Sequence, residues 1–211
     1  MYRVVRTLVM GSFFGIALTL VIIAGSELFT GHTMFLTFGA LTKQITWKDN
    51  IIVLPQTWIA NLIGSIFVAY LFYLAGGGKL LNFEDSLLHN VAFAKTQAPA
   101  MVLFAKGILC NWLVCLAIWM ALSCEGSAKF IAIWWCLLAF IASGYEHSIA
   151  NMTIFALSWF GDAKEGFTMA GIGHNLLWVS LGNMVGGALF MGGGYWLSTP
   201  KSERLKLIFK K

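Results

Sequence analysis

Long uncharged stretches place the strongest constraint on this chain, because they recur from one end of the sequence to the other. A helix needs roughly 20 mainly apolar residues to cross the hydrocarbon core of a bilayer, which is about 30 Å thick. Five stretches are of this order, and two of them contain an acidic residue. They are residues 7–41 with Glu27 inside, 55–78, 107–124, 130–160 with Glu146 inside, and 167–197. An extramembrane loop with some helix is expected over 79–95. The sequence therefore predicts an all-α protein with five membrane-crossing segments.

The composition fits a chain that faces lipid. Hydrophobic residues make up 59% of the sequence and charged residues 11%, with a mean hydropathy of +0.79, which is too little charge for a water-facing surface. The formal net charge of +5 comes largely from residues 201–211. A basic end beside an apolar segment indicates a cytoplasmic tail and not a nucleic-acid patch. We therefore predict a single transmembrane channel domain over residues 1–200, embedded in the lipid bilayer, and a basic cytoplasmic tail over 201–211.

The chain contains an internal repeat. The segment G-S-E-L-F-T at residues 25–30 is matched by G-Y-E-H-S-I at residues 144–149, and each copy interrupts an apolar run with a carboxylic acid. Downstream, W-I-A-N-L-I-G-S at 58–65 is matched by W-V-S-L-G-N-M-V-G-G at 178–187, at nearly the same offset of about 120 residues. The repeat predicts two helices that break at equivalent places.

The number of crossings between the two breaks predicts their relative orientation. Three crossings separate Glu27 from Glu146, so the two copies should insert in opposite directions, as in pores built from inverted repeats. A complete span, residues 107–124, precedes the second break, whereas only half of a broken helix precedes the first. We therefore expect a six-span arrangement from which the first transmembrane helix is missing.

Ionisable residues inside the apolar stretches are candidates for function. An ionisable side chain within a membrane span costs a few kcal/mol, so Glu146 and His147 need a reason to be there. We expect Glu146 and Glu27 to support the helix breaks by accepting backbone N–H groups that a break sets free. His147 has a donor, an acceptor and a proton affinity near neutral pH, so it can hydrogen-bond or protonate an anion.

Several motifs of the chain resemble those of the formate/nitrite transporter family. The residues that carry the resemblance are E-H-S-I-A-N-M at 146–152, K-G-I-L-C-N-W-L-V-C-L-A at 106–117 and S-E-L-F-T-G at 26–31. G-I-G-H-N-L-L-W at 171–178 is most similar to a nitrite channel within that family. The resemblance implies an aquaporin-like helical protomer with its own pore, assembled as a homopentamer in the bacterial inner membrane.

The same resemblance assigns roles to individual residues. His147 matches the central pore histidine, and Thr30 matches the threonine that faces it from the other broken helix. The hydrophobic constrictions are expected at Phe14, Leu18 and Leu28 on one side of the histidine and at Phe140 on the other, with Lys95 and Asn111 as a polar pair around it, and Asn151 beside Glu27 and Glu146 as support for the breaks.

Transport of a small monovalent anion, nitrite above all, is the function these features predict. A bare ion is costly in a low-dielectric constriction, so nitrite would be attracted by Lys95 and then hydrogen-bonded or neutralised at His147, with protons as co-substrate. Formate, hydrosulfide or lactate could use the same pore, by channel or by proton-coupled transport. A haem-bearing membrane anchor is a further alternative and would need His32 and His147 to face each other. We expect no enzymatic activity and no cofactor, because ATPase and nucleophile motifs are missing from the sequence.

Overall fold

The computed structural model describes residues 2–82 and 86–200, which fold into helices joined by short loops. The helices are α1 (Tyr2–Ala24), α2 (Phe29–Leu41), α3 (Trp47–Leu74), α4 (Gly78–Leu81), α5 (Leu87–Thr96), α6 (Ala100–Ser123), α7 (Ala128–Ala142), α8 (Ser148–Phe160), α9 (Met169–Met184) and α10 (Gly194–Ser198). A π-helical segment, Val185–Gly193, joins α9 to α10 into one continuous helix. The tail predicted over residues 201–211 lies outside the described residues.

The all-α membrane architecture is confirmed. Within residues 2–82 and 86–200, four helices are long and apolar enough to cross a bilayer: α1, α3, α6 and the continuous helix Met169–Ser198. The shorter apolar helices α7 and α8 follow each other across the break at Glu146, and α2 follows α1 across the break at Glu27. Both broken helices therefore lie where the repeat predicted them.

Two of the predicted membrane-crossing stretches, 55–78 and 107–124, belong to helices that begin earlier in the chain. α3 begins at Trp47 and carries Pro55 in its interior, because Thr46 and Asp49 form a capping box that starts the helix earlier. α6 begins after Pro99 and carries Lys106 in its interior. A lysine or a proline beside an apolar run is thus a poor marker of where a membrane helix begins.

The region predicted as an extramembrane loop contains α5, which packs against α8. Its residues Leu88, His89 and Ala92 are buried. The His89 ring lies 2.7 Å from Ser158 Oγ and 3.0 Å from the carbonyl of Leu81, which holds α5 against the end of α8. This packing fixes the position of Lys95 at the other end of α5.

The two breaks share one backbone geometry. Gly25 and Gly144 end the preceding helices with φ of +74° and +65°, a region that glycine adopts without a side-chain clash. Three residues after each glycine, Leu28 and His147 take extended conformations and cap the next helix. The repeat therefore extends from sequence to backbone conformation.

At the first break, Asn61 of α3 satisfies backbone groups that the break sets free. The N–H of Phe29 donates to Asn61 Oδ1 at 3.0 Å, and Asn61 Nδ2 donates to the carbonyl of Glu27 at 3.0 Å. One side chain thus pairs with a donor and an acceptor on either side of the break, as a membrane interior requires.

At the second break, Asn183 of α9 does the same. The N–H of Ser148 donates to Asn183 Oδ1 at 2.9 Å, and Asn183 Nδ2 donates to the carbonyls of Glu146 at 3.0 Å and Gly107 at 2.8 Å. We call Asn61 and Asn183 the break asparagines. The sequence shows both at matching positions, three residues before a glycine, but it gave no reason to assign them this task.

The carboxylates expected to accept the freed N–H groups have other partners, so that expectation was wrong. Glu27 is exposed, and its Oε2 contacts His32 Nε2. Glu146 Oε2 accepts from Lys95 Nζ and from Asn151 Nδ2, each at 2.7 Å. An asparagine serves a break better because its amide both donates and accepts, whereas an ionised carboxylate only accepts. Asn151 supports Glu146 and not the backbone of the break.

Helices of the two repeats pack against each other. α1 packs against α7, α3 packs against α8, and α2 packs against the π-helical segment. The second half of each broken helix is therefore held mainly by the other repeat. This exchange brings the two breaks together in the interior of the chain.

Glycines of the last helix allow the closest approaches in the fold. A Cβ at Gly186 would collide with the backbone of Ile108, and a Cβ at Gly187 would collide with Thr33 Oγ1 and lie 2.6 Å from Asn111 Nδ2. Gly193 has room for a methyl group, since its nearest neighbour would be 3.4 Å away. Small residues at such positions let membrane helices pack backbone to backbone.

Replacing Gly187 with alanine should therefore destabilise the protein by about 1–3 kcal/mol, the usual cost of overpacking. The matched variant Gly193→Ala should be neutral or slightly stabilising, because alanine favours helix over glycine. Thermal unfolding of the purified protein in detergent measures both. Equal stability of the two variants would contradict the packing described for Gly187.

Replacing a break asparagine with leucine tests how much each one stabilises the fold. Asn183 is fully buried and holds three backbone groups, so Asn183→Leu should cost at least about 2 kcal/mol, because each buried group left unpaired costs roughly 1–3 kcal/mol. Asn61 is only half-buried and holds two groups, so Asn61→Leu should cost less. The same unfolding assay compares them, and a larger loss for Asn61→Leu would contradict these assignments.

Candidate functional site

His147 lies at the second break, where it caps α8. Its ring is buried, and Nδ1 accepts a hydrogen bond from the N–H of Ala150 at 3.2 Å. Its Nε2 lies 3.0 Å from Oγ1 of Thr30, the second residue of α2. The two side chains meet because each follows its own break, and the breaks adjoin.

These contacts fix the tautomer of His147. Nδ1 accepts from a backbone N–H and so cannot carry a hydrogen itself, which leaves the hydrogen of a neutral ring on Nε2. Nε2–H therefore donates to Thr30 Oγ1. The hydroxyl hydrogen of Thr30 remains as a donor at the same place.

Further bonds hold Thr30 in position. Its carbonyl accepts from Asn111 Nδ2 at 3.1 Å and from Thr33 Oγ1 at 2.6 Å. Asn111 Nδ2 also lies 3.0 Å from Thr33 Oγ1 and donates to the carbonyl of Asn183 at 2.6 Å. Asn111 therefore contacts Thr30 and not the histidine: it orients Thr30 and links it to the break asparagine Asn183. The expectation from the sequence was that Asn111 would lie beside the ring.

A cavity of about 370 Å³ opens beside His147. Apart from His147 and Thr153 its walls are apolar. It is lined by Phe14, Ala17, Leu18, Val21, Leu28, Val114, Leu137, Phe140, His147, Ile149, Ala150, Thr153 and Ile154. Thr30, Lys95 and Asn111 are not among the lining residues, so His147 and Thr153 are the polar side chains of the cavity wall.

The four hydrophobic residues expected to flank the histidine lie in one cluster, not in two. The rings of Phe14 and Phe140 pack edge to face with centroids 5.6 Å apart, and Phe140 lies 6.0 Å from the His147 ring. Leu18 and Leu28 belong to the same cluster. The expectation that Phe140 lies on the opposite side was wrong, because the packing of α1 on α7 brings Phe140 to Phe14.

Another face of α8 borders a second apolar cavity, of about 460 Å³, that the sequence did not indicate. Met152 and Phe155 of α8 and Leu176 of α9 line it and belong to a separate hydrophobic cluster. Helical periodicity shows that α8 is apolar on several faces, but it does not show which of them borders a cavity.

Lys95 forms a buried ion pair with Glu146. The 2.7 Å contact joins side chains that are 14% and 7% exposed, so the charge of Lys95 is compensated inside the protein. Asn151 donates to Glu146 and to Asn175 Oδ1 at 2.8 Å, and Asn175 donates back to the carbonyl of Lys95 at 2.9 Å. Lys95 therefore belongs to a closed hydrogen-bonded ring behind His147. Asn175, which completes that ring, lies in the G-I-G-H-N-L-L-W motif at 171–178, but the sequence analysis assigned it no role.

The haem alternative does not fit the histidines. Both nitrogens of His147 are engaged, with Ala150 and Thr30, and both nitrogens of His32 are engaged, with Thr57 and Glu27. An axial ligand needs one ring nitrogen free for iron. The structure therefore contradicts a haem held between His32 and His147.

Comparison with known proteins agrees with this architecture. The formate/nitrite transporter family model matches residues 2–197. The nitrite transporter NirC of Escherichia coli strain K12 is 72% identical over 200 residues, which are 95% of this chain and 74% of that protein. Among solved structures, an FNT family ion channel matches with a TM-score of 0.91 and 68% identity, covering 93% of this chain and 78% of that one. A pentameric formate channel with formate bound matches with a TM-score of 0.74 and 30% identity, covering 92% and 83%.

The match extends over nearly the whole chain and is supported by both sequence and fold. The apolar helices and the family together identify a multi-pass membrane protein. The chain belongs to the formate/nitrite transporter family.

Proposed function

We propose that this protein conducts nitrite across the bacterial inner membrane through a pore in each protomer. The observation that carries the proposal is the hydrogen bond between His147 and Thr30, which joins the two helix breaks beside an apolar cavity. The 72% identical relative is named a nitrite transporter, which supports nitrite as the anion. His147 is the central residue of the pathway in this proposal.

An anion can pass this point by taking the place of one hydrogen-bond partner. Nitrite entering between the two side chains accepts the Nε2–H of His147 in place of Thr30, and it accepts the hydroxyl hydrogen of Thr30 from the other side. Two donors from opposite repeats then offset the desolvation that the apolar walls of Phe14, Leu18 and Phe140 impose. The anion is stabilised by hydrogen bonds and not by a free positive charge, because Lys95 is paired with Glu146.

His147 in this arrangement is set up to hydrogen-bond the anion through Nε2–H and not to donate a proton to it. A second proton on the ring would sit on Nδ1 and face the N–H of Ala150, so that two donors would point at each other. Protonating His147 therefore requires the first turn of α8 to give up its cap. A nitrite that leaves as nitrous acid would have to use that rearranged state.

We also propose a homopentamer. A structural relative is a pentameric channel, and α1 and α3 present large apolar side chains such as Phe13 and Ile51 at the surface of the single chain. In this proposal residues 1–200 form one protomer with its own pore. Native mass spectrometry from detergent should show five copies, and a monomer under non-dissociating conditions would contradict it.

Uptake by proteoliposomes tests the choice of anion. We expect labelled nitrite to enter and an excess of unlabelled nitrite to suppress uptake more than equal concentrations of formate, hydrosulfide or lactate. Formate is the second candidate, because a structural relative is a formate channel with formate bound. Stronger competition by formate would assign the pore to formate. Repeating the assay with and without a pH gradient separates a channel from proton-coupled transport.

The variant Thr30→Val tests the two-donor arrangement. It keeps the shape of the side chain but removes the hydroxyl, so one hydrogen bond to a charged group is lost. Such a bond is worth about 1.5–3 kcal/mol, and nitrite flux should therefore fall roughly 10-fold or more. Thr37→Val on the same helix is the matched control, because Thr37 Oγ1 donates to the carbonyl of Thr33, and its flux should stay near the wild-type value.

Replacing His147 with phenylalanine removes the other donor and the only ionisable group of the cavity lining among the described residues. We expect flux to fall at least as far as in Thr30→Val and to lose any dependence on pH that originates at this ring. Wild-type flux with an unchanged pH response in His147→Phe would remove the histidine from the mechanism.

A further inference from the structure

Thr153 is the second polar residue on the wall of the cavity beside His147. The residues of α8 that line this cavity recur every three to four positions and so lie on one face of the helix. They are Ile149, Ala150, Thr153 and Ile154. His147 caps the same helix, so Thr153 follows it by about 9 Å along the helix axis. The cavity therefore has one polar side chain at the break and another nearly two turns further along α8.

The hydroxyl of Thr153 does not make the bond that threonine and serine commonly make inside a helix. Such a hydroxyl donates to the carbonyl four residues earlier, which satisfies its hydrogen within the same helix. Examples in this chain are Ser12, Thr19, Thr37, Thr57 and Ser123. Within the described chain, Thr153 Oγ1 instead contacts Oγ of Ser65 on α3, at 3.1 Å.

Among the described residues, this contact accounts for only one of the two hydroxyl hydrogens. Each hydroxyl carries one hydrogen, and one hydrogen bond between them uses one of the two. Because hydroxyl groups rotate, either residue can be the donor. When Ser65 donates, the hydrogen of Thr153 is available to the cavity. Thr153 can therefore offer a donor there without losing its bond to Ser65.

We infer that Thr153 is a second hydrogen-bonding position for the anion and that Ser65 orients its hydroxyl. The cavity measures about 370 Å³, whereas a water takes about 30 Å³ in the liquid, so a small anion fits there together with several waters. Apolar walls cannot replace the hydration that an anion loses in such a space. The Thr153 hydroxyl donates to the anion on one side of its passage between His147 and Thr30. The inference rests on the proposed function.

Ser65 belongs to the helix that also holds the first break. Asn61 and Ser65 are four residues apart and therefore lie on one face of α3. Asn61 binds backbone groups of the first break, and Ser65 is buried in contact with Thr153. Leu62 and Ile66 of the same helix line the second cavity, so the hydroxyl pair lies where the α3–α8 contact borders both cavities. One helix thus holds the break and orients the Thr153 hydroxyl.

A hydroxyl at this position favours anions that carry oxygen. Oxygen accepts a hydrogen bond from O–H well, whereas sulfur is a weak acceptor. Nitrite and formate should therefore gain from Thr153, and hydrosulfide should gain little. Loss of the hydroxyl should lower nitrite flux about 3- to 10-fold, the range that corresponds to one hydrogen bond of ordinary net strength, and should lower hydrosulfide flux less.

Two matched pairs of variants isolate the hydroxyl. Thr153→Val keeps the shape of the side chain without the hydroxyl, and Thr153→Ser keeps the hydroxyl without the methyl group. In proteoliposomes, Thr153→Val should show the loss of nitrite uptake, and Thr153→Ser should stay near the wild type. Thr153→Ala against Thr153→Ser repeats the comparison with two smaller side chains, so the test stands even if the valine variant does not fold.

Ser65→Ala separates a role in the pathway from a purely structural bond between α3 and α8. It breaks that bond but leaves the Thr153 hydroxyl at the cavity, so nitrite uptake should lie between the wild type and Thr153→Val. Equal uptake losses in Ser65→Ala and Thr153→Val would overturn the inference.

Two further results would contradict a role for Thr153 while leaving nitrite conduction intact. One is equal nitrite uptake by the serine variant and by the valine and alanine variants of Thr153. The other is a loss of hydrosulfide uptake in Thr153→Val as large as the loss of nitrite uptake. Absence of nitrite uptake by the wild type would instead overturn the proposed function, and this inference with it.

Discussion

Backbone N–H and C=O groups freed inside a membrane have to find partners within the protein, because lipid offers none. The two broken helices therefore leave backbone groups that other parts of the fold must hydrogen-bond. Asn61 and Asn183 do so from the following helix of the same repeat, and Asn183 also donates to the carbonyl of Gly107 on α6. Once these bonds are in place the breaks are rigid, and the second half of each broken helix can be packed against the other repeat. The site at Thr30 and His147 exists only because both breaks are held this way.

The same constraint explains how, in the proposed function, the site carries an anion without a free cation. His147 both caps α8 and donates to Thr30. The Nδ1 atom accepts from the backbone N–H of Ala150, and this fixes the hydrogen of the neutral ring on Nε2, where it can be donated. The cation nearest in the network, Lys95, is neutralised by Glu146. An uncompensated charge here would bind a small anion too tightly to release it, whereas neutral donors in an apolar passage allow entry and exit. In the proposed pathway, the hydrophobic walls favour small solutes that can exchange their hydration for two hydrogen bonds.

The features of the fold and the site that could be predicted from the sequence are those that leave a local pattern in it. The apolar runs, the broken helices and the repeat are visible because glycine, glutamate and asparagine recur at fixed distances. The side of the histidine on which Phe140 lies is not visible, since it depends on how α7 packs against α1. Lys95 and Glu146 are 51 residues apart, and their pairing follows from the docking of α5 on α8. The π-helical segment also escaped prediction, because the approach of Gly186 and Gly187 to α6 and α2 is a tertiary contact.

The two glutamates show how burial selects chemistry at otherwise equivalent positions. Glu146 is only 7% exposed, and an ionised carboxylate at such depth requires a cation, which Lys95 supplies, and an amide, which Asn151 supplies. Glu27 is 75% exposed, so water solvates much of its charge, and a contact with His32 is a sufficient partner within the protein. The repeat fixes where a carboxylate stands, and its solvent exposure determines how many partners within the protein its charge requires. For this reason the carboxylate at the second break is held by the Lys95 ion pair and the Asn151 amide, whereas the carboxylate at the first break is largely solvated.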